Sequence, residues 1–268
     1  MSPTRESAPD AAAESDRVHQ RRVLEVFTHA PNWRRYCAGQ LAPFVRGDVL
    51  EVGAGLGAST VGLAELPRRS WTCLEPNREL AAEAEREIAA KGGSLEAQVV
   101  VGTIDDLPPG QRFDAVIYLD VLEHIANDAR ELRVASSHLK PGGRVIVLSP
   151  AHQWLFSPFD RALGHLRRYN RRLLREIIPA GLEYERLVYL DSVSLAVFGL
   201  NRLLLRQKMP TQRQVRLWDR ILVPLSRVLD PLLRYRAGKT VLAVLRQPEI
   251  PQQARAPIDS GASPHAGR

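Results

Sequence analysis

At 268 residues, with 44% hydrophobic and 25% charged side chains, the chain can bury one full core and falls outside the compositional range of disordered proteins. Its formal net charge is +7, nearly all of the 37 basic residues being arginine. The two cysteines, Cys37 and Cys73, exclude a disulfide framework or a cysteine-based metal cluster, and they fit a reducing cytoplasm.

Residues 1–15 read as a polar tail without the apolar stretch of a signal peptide, and 251–268 as a second tail rich in Pro, Gly, Ser and Ala. Between them, 16–250 is expected to form one domain without internal repeats. Asp48–Val52 is a short strand, and Ala58–Leu66 a helix stopped by Pro67. Ser70–Leu74 is a second strand, with Cys73 as a small hydrophobe inside it. Arg78–Lys91 is a helix closed by Gly92-Gly93, and Leu95–Val101 is a third strand. Phe113–Leu119 is a fourth strand, apolar on both faces. A helix is predicted over Val121–Leu139, ending at Pro141-Gly142-Gly143, and Arg144–Ser149 is the fifth strand. Arg171–Ala180 reads as a helix, Leu182–Asp191 as strand six and Lys239–Leu245 as the last strand, which leaves a helical insertion at about 192–238. Strands alternating with helix-length segments specify a doubly wound α/β domain with a mostly parallel sheet, and such sheets bind ligands at the carboxyl ends of their strands.

The polar motifs fall at those ends. Strand one runs into Glu51-Val52-Gly53-Ala54-Gly55-Leu56-Gly57, where alternating glycines let the backbone approach a ligand closely. Position 58 is Ala, so the third glycine of a dinucleotide fingerprint is missing, and Glu51 would oppose a pyrophosphate but suit a cationic sulfonium. Both features disfavour a dehydrogenase. In Leu74-Glu75-Pro76-Asn77, Glu75 ends strand two, where a carboxylate can accept both hydroxyls of a ribose. Gly102-Thr103-Ile104-Asp105-Asp106 can frame an adenine. Strand four leads into Asp120-Val121-Leu122-Glu123-His124-Ile125, and the chain then reaches Leu139-Lys140-Pro141-Gly142-Gly143.

Taken together, these motifs resemble the class I S-adenosylmethionine-dependent methyltransferases, in particular the quinone-biosynthesis-like, type 11/12 small-molecule group, over about Asn32 to Leu190. The resemblance implies a Rossmann-like, seven-stranded methyltransferase fold with S-adenosylmethionine as cofactor. By the same resemblance, Gly53, Ala54, Gly55 and Gly57 line the methionine moiety and Glu51 binds its ammonium. Glu75 holds the ribose with Pro76 as a further cofactor contact, Ile104 offers its N–H to adenine, and Asp120 or the adjacent backbone borders the sulfonium. Relatives often carry an acid where Thr103 stands, so Thr103 or Asp105 takes the adenine amino group. Asn32-Trp33-Arg34-Arg35-Tyr36 resembles a segment that folds over the cofactor, with Tyr36 or Arg35 reaching its carboxylate. The resemblance makes His124 mainly an orienter of its loop.

After strand five, the stretch Ser149 to Tyr169 is too polar and aromatic for a routine crossover, and it resembles a Phe-Asp…Gly-His-x-Arg-Arg-Tyr signature of the same group. His152 and His165 are the candidate general bases, because imidazole titrates near neutrality, and Asp160 is the candidate orienter. Trp154, Phe156, Arg168 and Tyr169 are the candidate substrate contacts. No metal site is expected. Arg161–Arg175 carries six arginines without an acid, and Leu200–Arg246 carries eleven Lys/Arg against Asp219 and Asp230.

Within the insertion, Val193–Leu205 is apolar but too short to cross a bilayer. Leu217, Ile221, Leu225, Val228, Leu229 and Leu232 form a helical stripe. The insertion is read as a cap packed on the core, against a lid over a lipophilic acceptor, a dimer interface or a peripheral contact with the inner face of the membrane. The expected function is O-methylation of a small, lipophilic or anionic acceptor, with N- or C-methylation as the alternative and the oligomeric state left open. An RNA-directed or non-catalytic module is disfavoured, since Asp120-Val121-Leu122-Glu123 replaces the N/D-P-P-Y/F-like motif of RNA enzymes and the glycine loop is intact.

Overall fold

A computed structural model describes residues 30–92, 96–204 and 211–249, with side chains omitted for 201–204. The tails at 1–15 and 251–268, and the positions Gly93, Leu95 and Leu205, lie outside the described residues.

In chain order the elements are α1 (Pro31–Leu41), β1 (Asp48–Val52), α2 (Ala58–Gly62), β2 (Ser70–Glu75), α3 (Arg78–Ala90), β3 (Gln98–Val101) and β4 (Phe113–Leu119). Then come α4 (Asp128–Ser137), β5 (Leu139–Pro150), α5 (Pro158–Ala162), α6 (Arg171–Ile177) and β6 (Glu183–Leu190). The insertion supplies α7 (Ser192–Leu204), α8 (Gln212–Leu217), one π turn (Trp218–Leu222) and α9 (Val223–Leu232), and β7 (Thr240–Arg246) follows. The seven strands are ordered β3-β2-β1-β4-β5-β7-β6, with only β7 antiparallel to its neighbours.

Alternation along the strands builds a core on each face of this sheet. Val49, Cys73, Ile117 and Ile146 face one layer, while Leu50, Leu74, Val116 and Val147 face the other. The chain reverses its direction of travel across the sheet between β1 and β4, and the cleft at their carboxyl ends is where such sheets take ligands.

Three segments differ from expectation. The predicted Val121–Leu139 helix is a 3-10 turn (Leu122–His124) and then α4, because Asn127 caps a new start by accepting the Arg130 N–H at 3.1 Å. Pro141-Gly142-Gly143 does not end a helix but lies within β5, in an irregularity that shifts pairing from Phe113↔Leu139 to Ala115↔Arg144. The helix predicted at 58–66 keeps regular geometry only over Ala58–Gly62.

Because β7 runs antiparallel, Leu190 and Thr240 pair with one another and Thr240 pairs with Pro150. Both ends of the insertion therefore sit at the carboxyl edge of the sheet, beside the cleft. Buried aspartates anchor it there. Asp219 accepts the N–H groups of Asn32 (3.2 Å) and Trp33 (2.8 Å), capping α1. Asp230 accepts the Tyr36 hydroxyl at 2.6 Å and the Asp191 and Ser192 N–H groups at 2.7 and 3.0 Å. Asp191 in turn accepts the hydroxyls of Ser194 and Ser226 and the Trp218 indole N–H, at 2.6 to 2.9 Å.

Candidate active site

A cavity of about 1440 Å³ opens at the carboxyl edge of the sheet, lined by Gly53, Gly55, Glu75, Ile104, Asp120 and His165 among others. At one end lies the glycine loop. Gly53 and Ala54 donate their N–H groups to Leu74 O at 2.7 and 3.1 Å, which ties the loop to the end of β2. Gly53 has φ +72°, and a Cβ there would fall 2.7 Å from Val121, so only glycine fits both backbone and space. Gly57, at φ +78°, also serves packing: a Cβ on it would stand 3.0 Å from the Ala84 Cα in α3.

Glu75 closes the loop from the other side. Its Oε2 accepts the Gly55 N–H and its Oε1 the Asn77 N–H, both at 2.9 Å, and the residue lines the cavity. Burial raises its pKa, and the two N–H groups oppose that rise. Pro76, Thr103 and Ile104 line the same end. Thr103 donates its N–H and hydroxyl to Asp106 at 2.8 and 2.9 Å, and Asp105 takes a forked pair from Arg130 at 2.8 and 3.0 Å.

Asp120, at φ +53°, follows β4 and faces the cavity lumen. Water reaches it, yet protein surrounds it, and this burial raises its carboxyl to about 6 against the pull of His165, Lys239 and Arg168. Next to it, Glu123 is buried and accepts the Ser149 hydroxyl at 3.0 Å on Oε2, while Oε1 has no partner. Burial and then the Asp120 charge raise its pKa well above the usual carboxylate range.

The segment after β5 brings Asp160, His165 and Arg168 together. Asp160 Oδ1 accepts His165 Nδ1–H at 3.0 Å and Arg168 Nε–H at 2.8 Å, while Oδ2 accepts Arg168 Nη2–H at 3.0 Å and the Ser157 hydroxyl at 2.8 Å. Burial works against the Asp160 carboxylate, but the hydrogen bonds from His165 and Arg168 outweigh it and hold the group below its ordinary range. His165 Nε2 is left 4.0 Å from Glu123 Oε1. The His124 ring meets the His165 ring edge-on at 4.7 Å, and burial followed by the His165 charge lowers the His124 pKa to about 4. Glu123, His124 and His165 place ligand-type atoms within 4.8 Å of one another, a grouping that the sequence reading did not foresee.

Several expected site residues stand elsewhere. Glu51 does not line the cavity. It points into the layer opposite, where Oε2 accepts the Thr60 hydroxyl (2.7 Å) and the Trp71 indole N–H (3.0 Å), and its buried Oε1 has no partner. Ala54 and Gly57 also lie behind the lining. His152 donates Nε2–H to Gly238 O at 3.0 Å and stacks on Tyr189 at 4.8 Å, so its polar atom is spent outside the cavity. Tyr169 is fully buried, with its hydroxyl on Asp128 at 2.8 Å, and holds the segment in place. Trp154 is half exposed and packs beside Gly199 of α7. Tyr36 is held by Asp230 and Arg35 by Asn32, whereas their neighbour Trp33 does line the cavity.

The insertion also lines the cavity, through Val197, Phe198, Leu217, Trp218 and Leu222, together with Lys239 just before β7. Lys239 Nζ lies 4.1 Å from the Trp218 ring and 4.8 Å from the Phe198 ring, and 3.5 Å from Asp191 Oδ2. Burial lowers its pKa, and Asp191 partly restores it. Lys239 had read only as the first residue of a strand, because its neighbours in space come from distant segments.

Residues 50–145 match the model of a methyltransferase domain. Over that stretch, a little over a third of its length, the chain is similar to a methyltransferase domain. The chain is similar to the demethylmenaquinone methyltransferase of Tropheryma whipplei strain Twist, with 32% identity over 162 residues, 59% of this chain and 65% of that protein. It is also similar to the ubiquinone biosynthesis O-methyltransferase of Rickettsia prowazekii, with 31% identity over 102 residues, 37% and 38% of the two chains. The matches thus span under two thirds of the length of these curated relatives. A solved S-adenosylmethionine-dependent methyltransferase from Clostridium acetobutylicum shares the fold, with a TM-score of 0.52 at 14% identity over 82% of this chain and 92% of that one.

The cofactor of the methyltransferase domain is S-adenosylmethionine, and the residues present fit it. Glu75 offers a carboxylate edge suited to a vicinal hydroxyl pair, and Asp120 supplies negative charge suited to a sulfonium. The lining beyond Asp120 is largely apolar.

Proposed function

We propose that this chain methylates an oxygen of a small, largely apolar acceptor. One observation carries the reading: a single cavity runs from the Glu75 and glycine-loop end to an apolar chamber at Phe156, Phe198 and Leu217, with the Asp160–His165 pair opening on it. S-adenosylmethionine, when bound, supplies a methyl group already activated by its sulfonium. The protein's task is then to align acceptor and methyl group and to remove the acceptor's proton.

Glu75 binds the ribose hydroxyls, and the backbone at Gly53 and Gly55 lies against the amino-acid end. Asp120 favours the cationic centre. Asp160 accepts a hydrogen bond from the Nδ1–H of His165, which fixes the tautomer and leaves Nε2 as a base for an acidic hydroxyl. Arg168 fixes Asp160 from the other side, and Lys239 adds positive charge that favours a phenolate. The curated relatives named for quinone-related methylation agree with an apolar, oxygen-bearing acceptor.

The test is calorimetric titration with S-adenosylhomocysteine, followed by a panel of phenols and hydroquinones of increasing alkyl length, read by S-adenosylhomocysteine release. Binding of the cofactor product and turnover that rises with alkyl length are expected. No heat with either form of the cofactor would refute the reading.

A further inference from the structure

Leu217, Ile221, Leu225, Val228, Leu229 and Leu232 recur at helical spacing from the end of α8 through α9. A helix packed on a domain normally turns such a stripe inward. Here it is turned outward, and these six side chains are 41–73% exposed. The buried face of the same run carries Asp219, Ser226 and Asp230, consumed by the hydrogen bonds that fasten the insertion to α1, Tyr36 and Asp191. Those buried polar groups fix the orientation, since rotating the helix would strand them without partners.

The charges sort the same way. Arg213, Arg216, Arg220, Arg227, Arg234 and Arg236 are all exposed, while the acids within 211–247, Asp219 and Asp230, are both buried. Over those described residues the accessible surface is therefore mainly apolar and cationic, with Thr211, Gln212 and Gln214 as exposed neutral polar groups and no exposed carboxylate. Val197, Phe198 and Leu200 of α7 extend the exposed apolar area. Val197, Phe198 and Leu217 also line the cavity, so its mouth opens on this face.

We propose that this face docks on an anionic lipid bilayer, with the leucine stripe in the acyl–headgroup boundary and the arginines among the phosphates. Contact is peripheral, since no helix among the described residues is long and apolar enough to cross a membrane. A second copy of the chain is the poorer occupant. A two-fold contact through this face would bring the exposed arginines of both copies together with no exposed carboxylate within 211–247 to offset them. Docking would apply the cavity mouth to the lipid, a direct entry for an apolar molecule. The proposal does not depend on the methylation chemistry.

The test is cosedimentation of the full chain with vesicles of phosphatidylglycerol and phosphatidylcholine in equal parts, against vesicles of phosphatidylcholine alone. Binding to the anionic vesicles is expected, weakening as salt is raised. The L225D/V228D double variant, altered only at exposed positions, is expected to bind at least tenfold more weakly with an unchanged denaturation midpoint. R220E/R227E is expected to lose the preference for anionic lipid. Three results would each overturn the proposal: no sedimentation of the wild type with anionic vesicles, equal binding to both kinds, or wild-type binding by L225D/V228D. A wild-type dimer that L225D/V228D converts to monomer, without vesicle binding, would assign the face to a second copy instead. S-adenosylhomocysteine affinity, measured on the same preparations, reports separately on the methyltransferase reading.

Discussion

Replacing Glu75 by glutamine tests the cofactor end of the cavity with little change in volume. Each carboxylate oxygen already accepts one backbone N–H at 2.9 Å, from Gly55 and from Asn77, and keeps a second lone pair for a ribose hydroxyl. Glutamine retains one such oxygen. Its amide NH2 must then face the N–H of Gly55 or Asn77, donor against donor, and it cannot accept from the second hydroxyl. A hydrogen bond to a charged group contributes about 1.5–3 kcal/mol, so binding of S-adenosylhomocysteine should weaken by about 2–3 kcal/mol, or roughly 30- to 150-fold. Stability should change little, because the lost loop bond is offset by removing a carboxylate that burial already penalises. Calorimetric titration measures the affinity, and urea denaturation checks the fold. If Glu75→Gln binds within about threefold of wild type while folding normally, Glu75 does not hold the ribose.

His165→Gln should lower turnover of a hydroxyl acceptor by roughly 100-fold or more while leaving S-adenosylhomocysteine affinity intact, since a general base contributes about two to four decades; an unchanged kcat would remove His165 as base. Asp230→Ala strips the acceptor from three buried donors, the Tyr36 hydroxyl and the Asp191 and Ser192 N–H groups. A loss of about 3–5 kcal/mol in urea unfolding is expected, and a loss below about 1 kcal/mol would show that the insertion is held by other contacts. Two groups should give opposite pH slopes. The Asp120 pKa is raised by folding to about 6, so its contribution to stability is lost as pH rises from the usual carboxylate range through 6. Asp120→Asn should flatten that window by about 1 kcal/mol, allowing for the water that screens a lumen-facing carboxylate. The His124 pKa is lowered to about 4, so its contribution is present above 6.5 and lost as pH falls toward 4, a loss His124→Gln should abolish. Denaturation midpoints at stepped pH values check both signs.

The Glu75 and glycine-loop end of the cavity was largely legible in the sequence because its determinants are local. The glycine loop and Glu75 each sit at the end of a strand whose apolar run announces it, and the ends of β1 and β2 are brought together by their parallel register. Glu51 shows how narrow that legibility is. It lies one residue before Val52, which does line the cavity, and one step along a strand moves a side chain to the opposite face. His152 and Tyr169 were plausible by type and place, but their partners, Gly238 O and Asp128, are 86 and 41 residues away. The stripe at Leu217–Leu232 was visible as a pattern. Its outward direction was not, because it is set by acceptors for Asn32, Trp33 and Tyr36, which lie 186 to 194 residues earlier.

These distances also divide the labour of the fold. The loop, Glu75 and the Thr103–Ile104 turn are fixed by contacts among β1, β2 and β3, none of which involves the insertion. The apolar chamber is walled by the segment after β5 and by α7 to α9, whose chain leaves and re-enters the sheet edge at Leu190 and Thr240. The two halves meet at Asp120 and Glu123, where the Asp160–His165 pair comes within 4.0 Å of the β4 loop. Exchanges at Val197, Phe198 or Leu217 should therefore change which acceptor is methylated without moving cofactor affinity. Changes at Asp120 or Glu123 should disturb both at once. A chamber-wall variant that weakened S-adenosylhomocysteine binding as much as Glu75→Gln would show that the halves are not separable in this way.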